Sequence, residues 1–244
     1  MMLRSFAAAA MLLAATMSGT SIAGDQRLLV LDGSWVKWGT PQWGAGATVT
    51  YGFASQALKS PTARNCASLV PFDEVVKRTG LAKDRLRGEA EAAFAAWSKV
   101  TGLTFVETAD AAKADILIGA QGNPAGWAFT NIELDTAPQA KAPATERGLS
   151  ANEDEPAGQA APHSIRSIRQ ALICLNPLAK WKIGFDGNLN SYDLRYTFMH
   201  EIGHAIGLDH PGAAGALMGF RYDEKLKGPT RSDSEAAQTL YGLR

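Results

Sequence analysis

The run His200-Glu201-Ile202-Gly203-His204-Ala205-Ile206-Gly207-Leu208-Asp209-His210 constrains this chain more than any other segment. On an α-helix, His200 and His204 lie four residues apart on one face, so both rings reach one metal ion. Glu201 lies beside them, within reach of a water on that ion. Gly207 comes one turn later, where a helix often ends in a left-handed residue that glycine tolerates best. The chain can then turn back and present His210 as a third ligand. Three protein ligands leave the fourth position of a tetrahedral zinc open, which separates a catalytic site from a structural one. A lone His-Glu-x-x-His arises by chance on amphipathic helices. Here the glycine and the third histidine accompany it, and three of the four histidines of the chain fall in this run. The fourth, His163, sits in a polar stretch and reads as solvated.

The N-terminus sets the compartment. Met1-Met2-Leu3-Arg4 leads into an Ala/Leu/Met-rich stretch from about Phe6 to Met17, and Ser21-Ile22-Ala23 gives a small-x-small end. This is the pattern of a Sec-type signal peptide over residues 1–23, too short for a membrane anchor and without a stop-transfer pattern. The expected product is secreted, extracellular or periplasmic, with no membrane anchor. About 220 residues follow, enough for one domain with a sizeable core split by a cleft. The 24 basic and 24 acidic side chains balance, so composition makes no case for a nucleic-acid partner. In an exported chain the two cysteines are a candidate disulfide, Cys66–Cys174; the alternative is two separate thiols, since spacing alone does not bring them within bonding distance.

Periodicity places the elements. Ala47 to Phe53 alternates and reads as a strand. Leu86, Ala90, Ala93, Phe94 and Trp97 follow helical spacing between Asp84 and Val100, with an end near Gly102. Leu103–Glu107 and Asp115–Gly119 read as strands, the second nearly all apolar and central in a sheet. Residues 136–164 hold four prolines and no apolar period, as in a long surface loop. Gln170 to Leu175 returns to strand character, and Gly184 to Asn190 is a polar turn region. The zinc helix is expected to start near Ser191–Asp193, with either residue as its cap. A last helix, Ser232 to Leu240, opens on Ser232-Asp233-Ser234-Glu235, an acidic and capping first turn.

The extended motif, followed by Ala216-Leu217-Met218-Gly219, resembles the metzincin clan of zinc peptidases, which carry a methionine in a tight turn beneath the zinc. Met218 fits that role. Within the clan the chain is most similar to the matrixins. Thr50-Tyr51-Gly52-Phe53, Ala93 to Trp97 with Leu103-Thr104-Phe105, Ala114 to Ile118, the zinc helix, and Asp233 with Leu240-Tyr241-Gly242 follow in the order of that family. The resemblance implies an α+β fold: a twisted, mostly parallel five-stranded sheet with two long helices and a small C-terminal lobe across the cleft. Residues 24–244 would form one catalytic domain, with an upper lobe to about 207 and a lower lobe over 208–244. It also implies a secreted, monomeric zinc endopeptidase with one catalytic Zn²⁺ on His200, His204 and His210. Glu201 would activate the zinc-bound water, and Gly207 and Met218 would support the site. A protein or peptide substrate would lie as an extended strand along an edge strand, with Gln170–Leu175 the expected edge by position.

Several positions depart from the family pattern. Pro211 follows the last ligand where matrixins usually have a small hydroxyl residue; proline there is typical of serralysins. Serralysins add a tyrosine ligand two residues after the methionine; here that position is Phe220, which cannot ligate. No second zinc is expected, because the further histidines of the matrixin structural site are missing. The segment between Ala23 and the first strand has no cysteine, so no cysteine switch is expected, and Asp25 or Asp32 as a blocking carboxylate carries little weight. Asp115 and the group Asp186, Asn188 and Asn190 are candidate Ca²⁺ ligands in the family manner, but too few and scattered to specify a site, and ordinary polar turns are the simpler reading. Two other functions compete: a non-catalytic zinc-stabilised binding module, for which a general base has no use, and a zinc hydrolase of a non-protein amide.

Overall fold

The computed structural model describes residues 27–61, 63, 65–135, 164–212 and 215–244. The expected signal segment, Asp25, His163 and nearly all of the proline-rich stretch lie outside them. A hairpin of β1 (Val30–Leu31) and β2 (Ser34–Lys37) leads to β3 (Ala47–Phe53) and two short strands, β4 (Leu58–Lys59) and β5 (Ser68–Val70). Helix α1 (Asp73–Thr79) and the longer α2 (Lys83–Ser98) precede β6 (Leu103–Glu107), β7 (Ile116–Gln121), β8 (Ala128–Leu134) and β9 (Ser164–Leu175). The pair β10 (Trp181–Lys182) and β11 (Tyr192–Asp193) opens onto α3 (Leu194–Ala205), and α4 (Arg231–Tyr241) closes the described chain.

The fold is mixed α and β around a mostly parallel sheet. The order β2-β9-β7-β3-β6 is parallel throughout, and β1, β4, β5 and β8 attach to it antiparallel. Among the described residues the sheet therefore holds nine strands rather than about five. The extra strands are mostly two to four residues long, too short for an alternation to show. β7 is central, and all six of its residues are buried. Helix α2 turns Leu86, Ala90, Ala93, Phe94 and Trp97 inward against α3, which is the spacing expected of an amphipathic helix.

One expectation fails here. Gln170–Leu175 is not an edge: it is the second half of β9, with β7 pairing Ala171–Leu175 and β8 pairing the same residues antiparallel. The residues Ala171–Leu175 are all buried, as a run covered by strands and packed on both faces must be. The outer strand is β8, which pairs only with β9 among the described residues. The disulfide lies at the same place. Cys66 is bonded to Cys174, 108 positions apart in sequence, within a small buried cluster of Ala54, Leu69, Leu117 and Leu172.

Caps fix the two helices that matter for the site. Asp193, not Ser191, caps α3 by accepting from Tyr196 N–H at 2.9 Å. At its other end, Trp38 Nε1 donates to Ala205 O and Tyr241 Oη to Ile206 O, both at 2.8 Å, satisfying carbonyls that a helix end leaves open. In mid-helix, Trp97 Nε1 donates to Met199 O at 2.8 Å. Helix α4 starts at Arg231, earlier than Ser232: Thr230 is its cap, in a reciprocal capping box with Asp233.

Candidate active site

The rings of His200, His204 and His210 converge. His200 Nε2 and His204 Nε2 each lie 3.2 Å from His210 Nε2. The other nitrogen of each helical ring faces a carbonyl oxygen: His200 Nδ1 is 2.8 Å from Leu217 O and His204 Nδ1 is 2.9 Å from Leu208 O. A carbonyl only accepts, so the proton sits on Nδ1 and the Nε2 lone pairs point at one another. The lone pairs of the two helical rings thus converge on His210 Nε2, and a cation placed between the three nitrogens would take all three as donors. A tetrahedral zinc with Zn–N bonds of about 2.0–2.1 Å needs nitrogens about 3.3–3.4 Å apart, so the donor set fits that ion in type and spacing. Among the described residues it is the one cluster of metal-binding side chains.

The supports of these ligands come from distant parts of the chain. After α3, Gly207 takes φ of +95°, and a Cβ there would strike Val36 O. Met218 is buried beneath the helix, and its sulfur lies where a side chain on Gly203 would go. Asp233 holds this turn from α4: its carboxylate accepts Leu217 N–H at 2.9 Å and Met218 N–H at 3.2 Å. A connected path thus runs from Asp233 to Leu217 and on to the His200 ring, the kind of outer support that orients a metal ligand. Gly203→Ala should expose this fit. Alanine in an open helix would stabilise by about 0.5–1 kcal/mol relative to glycine. Here it must displace Met218, so a lower melting temperature and weaker zinc retention are expected; a raised melting temperature would show the packing to be loose.

Glu201 is almost fully buried, 6 % exposed. Thr130 of β8 reaches it: the hydroxyl is 2.7 Å from Oε2 and 3.0 Å from the Glu201 carbonyl, and its single proton is shared between them. Burial pushes the Glu201 carboxyl up from its ordinary range, while the nearby His200 and the Thr130 hydrogen bond pull the other way. Burial, then the neighbouring rings, hold His204 well below the usual imidazole value, and burial with His200 brings His210 down to about 4.

These shifts fix a sign for the metal-free protein. Unfolded histidines protonate near the ordinary imidazole value of 6.5, but folded His204 and His210 do not until lower pH. The unfolded state then binds more protons, so stability is full above pH 6.5 and falls towards pH 4, by up to about 1.4 kcal/mol per pH unit for each group. Glu201, whose folded value is raised, contributes in the opposite direction. Chelator-treated protein should therefore melt lower at pH 5 than at pH 7, and His204→Leu should reduce the difference. Equal pH dependence in the two proteins would contradict this assignment.

Around the histidines opens a cleft of about 940 Å³. The whole of β8 lines one wall, and Leu29, Leu31 and Asp32 of the N-terminal hairpin line part of the rest. Phe220 is 79 % exposed and stacks on His210 with ring centres 4.0 Å apart.

The sequence comparisons agree with this geometry. The sequence profile of the matrixin family matches residues 72–242. The chain belongs to the matrixin family. It is 30 % identical over 166 residues to stromelysin-3 of Rattus norvegicus and, to the same extent, to stromelysin-3 of Mus musculus; the match covers 66 % of this chain. The chain spans 28 % of the length of either relative.

Within this matrixin the other candidate residues have protein partners. Asp115 Oδ2 accepts Thr50 N–H at 2.7 Å and Thr50 Oγ1–H at 2.8 Å, tying β3 to β7. Asp186 accepts from Lys182 and from Asn188 N–H, and Asn188 Oδ1 accepts Asn190 N–H. Asp209 is not in the histidine cluster; its Oδ1 accepts His210 N–H at 2.8 Å and so shapes the ligand loop. Asp32 lies in the hairpin turn at φ +50° and faces Arg166. Thr130 and the roles of Gly203 and Asp233 escape a reading of the sequence. Only Gly203 left a signal, as a glycine inside a helix that has no other reason for one.

Proposed function

We propose that this matrixin is an exported zinc endopeptidase, with residues 24–244 as one catalytic domain divided near Gly207. The observation that carries it is the buried Glu201 carboxylate beside a three-histidine cluster, in a cleft walled by a strand whose outer edge has no strand partner among the described residues. The relatives are far longer than this chain, so the activity is argued from this site. Export rests on the composition of residues 1–23.

His200, His204 and His210 would hold the ion, which when bound supplies Lewis acidity towards water and the scissile carbonyl. The residues of the chain do the rest. The outer edge of β8 offers backbone donors and acceptors, so a substrate adds to it as a further strand and is aligned by main-chain hydrogen bonds. Glu201 takes a proton from the attacking water and passes it to the leaving amine. Its raised proton affinity suits both halves of that transfer, and Thr130 holds the carboxylate in place. Met218 forms the floor and touches no reacting atom.

Casein or gelatin incubated with the protein tests this. Cleavage that stops with a chelator and returns with zinc is expected. Intact substrate in the presence of stoichiometric zinc would sink the proposal and favour a non-catalytic binding module.

A further inference from the structure

The hairpin of β1 and β2 precedes the region matched to the family, which begins at residue 72, yet it supplies part of the cleft. The residues just before its first strand are fixed to the loop that carries His210. Leu29 N–H donates to Gly207 O at 2.8 Å, Asp209 N–H donates to Arg27 O at 2.9 Å, and Leu28 bridges antiparallel to Leu208. Its turn reaches the other wall. Asp32 faces Arg166 at 3.8 Å, and Arg166 also donates to Asp135 O, one residue beyond β8. The hairpin therefore spans from the His210 loop to the C-terminal end of β8 and closes that end of the cleft.

Side chains alternate along a strand. Val30 is exposed, while Leu29 and Leu31 are half-buried and line the cleft together with the half-buried Ile132 and Leu134. Four apolar side chains edged by two ion pairs, Asp32–Arg166 and Glu133–Arg169, have the make-up of a pocket that recognises an apolar group. Leu134 lies four residues beyond Thr130, the residue that touches Glu201. At about 3.3 Å per residue the apolar floor ends roughly 13 Å from the reacting centre, within reach of a substrate side chain about two to four residues from the bond cleaved.

We propose that Leu29 and Leu31 form, with Ile132 and Leu134, a subsite that selects a large aliphatic or aromatic side chain at that distance. The proposal rests on the endopeptidase reading for the position of the bond. A degenerate peptide mixture, cut by the zinc-loaded wild type and by the Leu29→Ser/Leu31→Ser double variant and read by mass spectrometry, tests it. The wild type should prefer leucine or phenylalanine over serine about tenfold at one such position. The double variant should lose that preference and keep those at other positions. An unchanged profile overturns the proposal. So does a uniform loss of rate with release of zinc, since the hairpin would then act only through the His210 loop. Leu31→Asn alone repeats the comparison if circular dichroism shows the double variant unfolded. If the wild type cuts no peptide, the endopeptidase reading fails, and retention of the same mixture on zinc-loaded protein decides this one. Preferential capture of leucine-containing peptides, lost in the variant, supports the subsite; equal capture overturns it.

Discussion

Glu201→Gln is expected to slow peptide cleavage by about 10²- to 10⁴-fold, the range that a positioned general base contributes, while zinc stays bound. Glutamine keeps the size of the side chain and an oxygen for the Thr130 hydroxyl, now 2.7 Å from Oε2. It cannot take a proton from water. The substitution also removes a carboxylate that burial disfavours in its charged form, so the metal-free variant should melt no lower than the metal-free wild type. Stopped assays on a peptide substrate, zinc content by mass spectrometry and thermal melting measure the three effects. Near-wild-type turnover would remove Glu201 from the mechanism. A loss of zinc in parallel with activity would instead make it a support of the site.

The second large effect is expected from the disulfide. Replacing Cys66 and Cys174 by serine opens a cross-link between residues 108 apart, and loss of a native disulfide costs about 2–5 kcal/mol. For a chain of this size that is a fall of roughly 5–20 °C in melting temperature. The consequence reaches the cleft. Cys174 pairs with Phe129 on β8, and Asn131 on β8 donates through Nδ2 to Cys66 O at 3.0 Å and accepts Asn65 N–H at 3.3 Å. The bond thus holds the segment around Asn65 against the strand proposed to bind substrate. A higher KM with a smaller change in kcat is expected in the serine variant. A melting temperature unchanged within about 2 °C would show that the cluster around the bond needs no cross-link.

These effects also mark what a linear reading can see. The histidine run was legible because its geometry is local: helical spacing and one glycine bring three rings together within eleven residues. The amphipathic α2 and the apolar β7 were legible for the same reason. The pair Thr130 and Glu201 lies 71 residues apart, and Asp233 meets Leu217 across 16, so no local pattern announces either contact. The edge strand was misplaced because Gln170–Leu175 is the stronger apolar run, and strength in that sense means cover on both faces. The true outer strand mixes half-buried apolar and polar residues and finds its place only by pairing with β9 across the proline-rich stretch. Asp233 read as an acidic first-turn residue of α4; its second task, holding the Met218 turn, becomes visible only when the helix is packed.

X-ray absorption at the zinc edge, on protein loaded with one equivalent of zinc, tests the central claim most directly. The account predicts three imidazole nitrogens at about 2.0–2.1 Å and one light non-protein ligand, with the imidazole count falling in His210→Ala. A fourth protein ligand or a sulfur in the first shell, or a spectrum that His210→Ala leaves unchanged, would contradict it.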